Sequence, residues 1–447
     1  MLILGLCIVI GFIVFSTSKL KWHPFLVLLL AALITAFYYQ LPVTDISKTI
    51  TKGFGGILGY IGLVIVFGTI IGIILEKTGA AIVMAETVIK KIGDRFPTLT
   101  MSIVGAIVSV PVFCDSGYVI LNSLKESLAK RMEVSSVAMS VALATGLYAT
   151  HTFVPPTPGP IAAAGNLGLS DSLGWVILLG SIVAIVPILT GWWWANRFVK
   201  IAPDGRGAEE ELQQTVSRED YGELPSPTMA FLPIVLPIAL ICVGTIVNFP
   251  SHPLGEGSVT HFLSFLGQPF TALLIGVFCA FFLIKGEDKT KQFSDAIAKG
   301  LVVAAPILLI TGAGGAFGSV LKATPIGQYL GDTLSGLGLG IFMPFIVAAA
   351  LKTAQGSSTV ALVTTSAMIA PLLSSIGLDS DIGRVLCVMA IGSGAMTVSH
   401  ANDSFFWVVS QFSRMSVSQA YKAQTAATAI QGVSGILFVW ILSLVLL

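Results

Sequence analysis

Charge is what this chain has least of. Only 11% of its 447 residues are Asp, Glu, Lys or Arg, against about a quarter in an average soluble domain. So few charges cannot make a water-facing surface, which leaves lipid as the solvent for much of the molecule. Those charges also balance, 24 basic against 23 acidic, so electrostatics give no case for nucleic acid as a partner. Cysteine is sparse and unpaired. Cys7, Cys114, Cys242, Cys279 and Cys387 form no CxxC and lie in apolar runs, where a thiol acts as a small hydrophobe; Cys114 stands apart because of its polar neighbours. Also missing are a GxxxxGK loop ending in Ser or Thr, which would couple ATP directly, an HExxH or zinc-type Cys/His cluster, and a GxSxG elbow. Neither metal, cofactor nor enzyme activity is expected.

What the chain does have is apolar length. It is 55% hydrophobic with 46 glycines, and its mean hydropathy is +0.91. A membrane-crossing helix takes about 20 mostly apolar residues. Stretches 2–18, 24–40, 55–76, 134–150, 173–195, 229–249, 268–284, 300–320, 385–399 and 425–446 read as spans. Residues 1–18 lack a basic start and a small-residue cleavage site, so they read as a first span rather than a removed signal peptide. Stretches 98–122 and 339–375 carry polar residues in their middles. They suit re-entrant hairpins, whose irregular backbone is tolerated where protein or a water cavity satisfies it.

Positive charge orients this set. Nineteen of the 24 basic residues fall on one side, from Lys19 through the 77–95 and 125–131 segments to Arg414 and Lys422. Lys48, Lys52, Lys322 and Arg384 fall opposite, and Lys352 lies within the second hairpin. The richer side is cytoplasmic by the positive-inside rule, with both termini outside. A polar stretch at 203–226 divides the chain into a membrane repeat at 1–200, a cytoplasmic linker at 201–227 and a second repeat at 228–447. Short matches in a shared order connect the halves: GIILEKTG (72–79) with GSVLKATP (318–325), CDSGYVIL (114–121) with AQGSSTVAL (354–362), and ATHTFV (149–154) with VSHANDSFF (398–406). Five spans and one hairpin per half make the second half inverted. The fold expected is therefore an all-α polytopic membrane protein of two inverted repeats, with helices broken at the midplane, the pattern of secondary transporters.

The breaks and tips hold the candidate chemistry. Asp115 sits between apolar runs and is followed by Ser116 and Gly117. A carboxyl at membrane depth is costly and so usually functional, either carrying a proton or capping the second hairpin helix. In the second hairpin, Gln355, Gly356, Ser357, Ser358 and Thr359 form a polar tip. If a helix starts after Gly356, its free N–H groups favour an anion, and Lys352 either adds a fixed positive charge or snorkels to the interface. Four prolines after His151, at 155, 156, 158 and 160, stop a helix and leave Thr150, His151, Thr152 and Asn166 as candidate contacts. The second break holds His400, Asn402, Asp403 and Ser404, where His400 and Asp403 can pair as a proton-exchanging site or Asp403 can cap a new helix. The proton-coupling candidates are thus Asp115, His151, His400 and Asp403. The substrate candidates are Ser116, Gly117, Thr152, Lys352, Gln355, Gly356, Ser357, Ser358, Thr359 and Asn402.

The order of FGGILGYIGLVIVFGTIIG (54–72), LEKTG (75–79), PVFCDSGYVIL (111–121), FVPPTPGP (153–160), ITGAGGAFGSVLK (310–322), GSSTVAL (356–362) and IGSGAMTVSHANDSFFW (391–407) resembles the gluconate permease (gluconate:proton symporter) family over essentially the whole chain. The resemblance implies proton symport of gluconate or a related small hydroxy acid across the bacterial inner membrane. It also implies a scaffold domain, a moving transport domain with two hairpins, and a homodimer. At 114–117 this chain reads Cys-Asp-Ser-Gly, where many members carry a Glu-containing, more aliphatic tip. Glycerate, another aldonate, a hexuronate and a D-amino acid therefore stay open as substrates, and sodium stays open as the coupling ion. A channel or a membrane-embedded enzyme is the contrasting class.

Overall fold

A computed structural model of the chain describes residues 5–447 without 6, 7, 10, 14, 17, 18, 21, 94, 206–220, 249–254, 256, 325–339 and 402, and gives backbone alone at 60, 61, 123, 322 and 355. Asn402, the Gln355 side chain, most of the linker and much of the 2–18 span thus lie outside the described residues. Among the described residues there is no strand. In the first half the helices whose backbone is described throughout are α1 Pro24–Tyr38, α2 Val43–Lys77, α3 Ala80–Ile92, α4 Pro97–Val108, α5 Cys114–Arg131, α6 Ser136–Phe153, α7 Pro158–Asn166 and α8 Leu173–Ala195. In the second they are α9 Pro227–Val247, α10 Ser258–Gly267, α11 Pro269–Phe281, α12 Lys289–Lys322, α13 Phe342–Gln355, α14 Ser358–Ile369, α15 Asp381–Met396, α16 Ser404–Phe412, α17 Val417–Ala420 and α18 Ala426–Leu446, the last two joined by a π turn.

By length and composition, five helical stretches among the described residues suffice to cross a membrane: Ser136–Asn166, Ser170–Phe198, Pro227–Val247, Lys289–Leu321 and Val417–Leu446. Two bent pairs raise the number to seven. α1, α4, α13 and α14 are apolar but shorter. The span expected at 268–284 is instead half of a bent pair, α10 and α11, which meet at 67°. Pro269 opens α11 and forces Gln268 into extended backbone, which no continuous helix tolerates. The sequence reading also missed α3, where a 13-residue helix buries Ala80–Ala85 and Val88 and ends on Lys90 and Lys91. It is too short to register as a span.

Burial separates the layers. Every residue of α6 from Val137 to Phe153 is buried, so this helix touches only protein. α8 instead leaves Leu178, Ile182, Ile185, Leu189 and Trp193 exposed, a stripe at helical spacing that suits lipid. Arg197 lies over the Trp193 ring at 4.3 Å, the kind of pairing that sits at a membrane surface. With no hydrophobic drive between helices in lipid, small residues set close approach. A Cβ on Gly146 of α6 would lie 2.0 Å from the Ser102 carbonyl oxygen of α4. Buried Gln431 of α18 donates to the carbonyls of Thr145 at 2.9 Å and Pro187 at 3.0 Å, tying three helices together.

The start of the linker docks on the turn before α17. Ser416 donates its N–H to Asp204 at 2.9 Å, and the Gln419 amide donates to the Ala202 carbonyl at 2.9 Å. Hydrogen bonds from Ser416 hold the Asp204 carboxyl below the usual carboxylate range.

Candidate transport site

Two interrupted helices and two helix–turn–helix units converge inside the molecule. The prolines end α6 after Phe153, and α7 restarts at Pro158, where a proline costs no hydrogen bond. α15 ends at Met396, and α16 restarts at Ser404. Between these two the Ser399 N–H bonds Thr428 Oγ1 at 2.9 Å, and the Ser399 carbonyl accepts from Thr425 Oγ1 at 2.6 Å. The chain turns between α4 and α5 at residues 109–113. Asp115, Ser116 and Gly117 thus lie in the first turn of α5, not at a tip as expected. Between α13 and α14 it turns at Gly356, whose φ of 92° suits only glycine comfortably. Ser357 then caps α14, accepting from the Val360 N–H at 3.3 Å.

The centre of this arrangement is a buried ion pair. Lys352 Nζ and Asp403 Oδ2 are 2.6 Å apart and both side chains are almost wholly buried. Lys352 also donates to the Gly356 carbonyl. Asp403 accepts from Ser399 Oγ at 2.5 Å and, as the cap of α16, from the Phe405 N–H at 3.1 Å. Lys352 therefore does not snorkel; it fixes the turn of one unit to the break of the other. The expected His400–Asp403 pair does not form, because Lys352 and Ser399 occupy Asp403. His400 Nε2 instead meets the Thr353 carbonyl at 2.9 Å.

Around the pair stand groups from the start of α5 and the end of α6. Asp115 receives Ser404 Oγ at 3.4 Å, and Cys114 Sγ lies 3.8 Å from its other oxygen. Asp403 is the charge felt by both Asp115 and His151. His151, buried in the last turn of α6, has its Nδ1 without a hydrogen-bond partner and its ring 6.0 Å from Phe113. Tyr148, one turn before it, stacks on Phe405 at 5.1 Å and lies 5.9 Å beneath the Lys352 ammonium, its buried hydroxyl facing Ser358. Sequence reasoning passed over Tyr148, although its spacing of three from His151 puts both on one face of α6. It also passed over Ser399.

The other candidates scatter by degrees. Ser358 is buried in the first turn of α14, next to half-buried Ser357 and Thr359. Thr152 is fully buried and returns its hydroxyl to the Tyr148 carbonyl at 3.2 Å, while Thr150 bonds the Ala106 carbonyl at 2.8 Å. A Cβ on Gly117 would lie 2.8 Å from the end of the Leu147 side chain, so α5 packs closely on α6 at this position. Ser116 and Asp115 line a cavity of about 360 Å³ bounded by Glu76, Lys77 and Tyr221. Asn166 is spent on the Val363 carbonyl at 3.1 Å and Ser366 Oγ at 2.9 Å. Among the described residues no three His, Cys, Asp or Glu side chains gather as metal ligands.

Residues 1–445 match the family model described as GntP family permease. The chain belongs to the GntP permease family. It is 32% identical to the gluconate permease of Pseudomonas aeruginosa over 99% of this chain and 97% of that protein. It is 33% identical to the D-serine transporter DsdX of Escherichia coli K12, over 99% and 98%. The solved YdaH transporter of Alcanivorax borkumensis shares the fold, with a TM-score of 0.66 at 12% identity over 94% of this chain and 98% of that one. This permease is accordingly a multi-pass inner-membrane transporter and not an enzyme.

Proposed function

We propose that this permease is a proton-coupled carrier taking up gluconate or a related small hydroxy acid, with the Lys352–Asp403 pair at its centre. The observation that carries the reading is that pair, buried in a membrane protein where the first turn of α5, the capped start of α14 and the restart of α16 meet. A substrate carboxylate competes with Asp403 for Lys352. When Asp403 takes a proton it releases the ammonium, and the incoming anion replaces it, so one proton and one carboxylate load together. The N–H groups at the start of α14 add an anion site beside it. Asp115 and His151, within reach of the Asp403 charge, offer the proton a way in or out. A D-serine carrier and a gluconate carrier are equally similar to this chain. Both substrates bear a carboxylate, the group that Lys352 recognises.

The two-repeat reading belongs to the same proposal. It is supported by the parallel order of long helix, helix–turn–helix and broken helix in α2 to α7 and α12 to α16, and by α4, α13 and α14 being too short to cross. The repeats divide at the 201–227 linker, and the carrier works as a homodimer. The cavity at Asp115 reaches Lys77, in a segment that the charge bias puts on the cytoplasmic side, which corresponds to a state open to the cytoplasm. The test is uptake of labelled gluconate into proteoliposomes under an imposed pH gradient, with and without sodium. Asp115→Asn loses pH-driven accumulation and keeps counterflow. Full pH-driven accumulation by that variant removes Asp115 from coupling, and sodium-dependent uptake in the presence of a protonophore overturns the proton reading.

A further inference from the structure

A second concave feature lies away from the ion pair. A cavity of about 910 Å³ is walled by the start of α2, the end of α7, the distal part of α12, the end of α14 and the first turn of α15. α14 connects it to the site above: Ser357 caps one end of that helix, while Ala367 in its last turn lines the cavity, about 15 Å away at 1.5 Å per residue. α6 and α7 leave the basic 125–131 segment and end at Asn166 in its wall, and α12 leaves Lys289 and Lys291 and ends beside it. The cavity therefore opens on the face opposite most of the basic residues, the outer face by the positive-inside rule.

Its charge is lopsided for that face. Lys48, Lys52 and Arg384 line it against a single acid, Asp45. These are three of the four basic residues that the topology puts outside. Lys48 and Lys52 are exposed, Arg384 is half-buried, and the Arg384 Nε is buried without a hydrogen-bond partner. Among the described residues none of the three makes a salt bridge. A concave, low-dielectric wall with unpaired charge of one sign focuses its field and concentrates ions of the other sign.

We infer that this outer cavity is a collecting site for small carboxylate anions. Lys48, Lys52 and Arg384 raise the local anion concentration ahead of the ion-pair site. The inference rests on the carrier reading but assigns a separate site, and its signature differs. The outer charges act on capture from dilute solution and not on turnover.

The experiment measures initial uptake of labelled gluconate into cells over a range of concentrations, at low and high ionic strength. The variants are Lys48→Gln with Lys52→Gln, and that pair with Arg384→Gln; the first pair, being exposed, keeps the test usable should the triple variant fail to fold. The outside KM rises about tenfold at low salt in the triple variant, turnover at saturation is unchanged, and the difference shrinks in high salt as the charges are screened. An unchanged KM at low salt, with uptake intact, overturns the collecting site and leaves the carrier reading standing. Absence of saturable uptake in the wild type brings both down. A lipid headgroup is the other anion such a cavity can hold. In proteoliposomes of phosphatidylcholine alone the KM difference persists; a difference that appears only with phosphatidylglycerol present assigns the charges to lipid and overturns the proposal.

Discussion

Removing one member of the Lys352–Asp403 pair should cost more stability than removing both. At 2.6 Å the attraction is about 6 kcal/mol at an effective dielectric near 20, and desolvation of the two ions offsets much of it. Deleting one partner forfeits the attraction but keeps the other's desolvation, typically about 3–5 kcal/mol. Lys352→Met falls toward the lower end, because Asp403 retains Ser399 Oγ and the Phe405 N–H. Asp403→Asn falls toward the upper end, since it leaves the ammonium with the Gly356 carbonyl and the Tyr148 ring but no counter-charge while preserving an oxygen to cap α16. The double variant carries no buried charge and should lie within about 2 kcal/mol of wild type. The coupling energy of the cycle is then at least about 4 kcal/mol. Against a total stability of about 5–15 kcal/mol, either single change should be plain in equilibrium unfolding in mixed micelles, measured for all four proteins under one condition. Single variants each within about 1 kcal/mol of wild type, or a double variant at the sum of the singles, would refute the reasoning. The same four proteins bear on transport, since Asp403→Asn removes the competitor for Lys352 and should bind the anion without dependence on pH.

Two further outcomes follow from packing and from the linker. Gly146→Ala drives a methyl against the Ser102 carbonyl oxygen and should cost about 1–3 kcal/mol or more as α4 and α6 separate; detergent melting checks it, and a wild-type melt would count against this helix contact. Asp204→Asn should loosen the linker from the turn before α17, read as faster tryptic cleavage at Arg206 and Arg218. Because the folded Asp204 carboxyl lies below its ordinary value, its contribution is present above about pH 4 and lost as pH falls through the folded value. The difference between variant and wild type should therefore be constant from pH 5 to 8; a difference appearing only above pH 7 would exclude the carboxylate as its source.

Much of this arrangement was legible because lipid punishes polar groups. Asp115, His151, Lys352 and Asp403 stood out as charges or imidazole within apolar runs; prolines marked the first break, a run of polar side chains the second, and glycine the turn at Gly356. What stayed hidden was who pairs with whom. His400 and Asp403 are near in sequence, yet the ion pair formed across 51 residues, because α13 and the break before α16 are brought together by packing that no local pattern records. Tyr148 was missed for a similar reason: a tyrosine in an apolar helix reads as core until Lys352 and Phe405 are seen over its ring. α3 and the bend at Pro269 escaped because the reading sought one length of apolar run, whereas a short amphipathic helix is stabilised by the neighbours it packs on.

The threonines that hold Ser399 bear on how such a machine moves. Where α15 stops, the buried backbone at Ser399 is bound on both its amide and its oxygen by hydroxyls of α18 and of the π turn that leads into it. An interruption clamped in this way needs no water to survive in oil, and it neither mends into continuous helix nor unravels further when a guest arrives or departs. Flexing during a working stroke should then fall elsewhere, with α15, α16 and the root of α18 expected to keep their mutual packing.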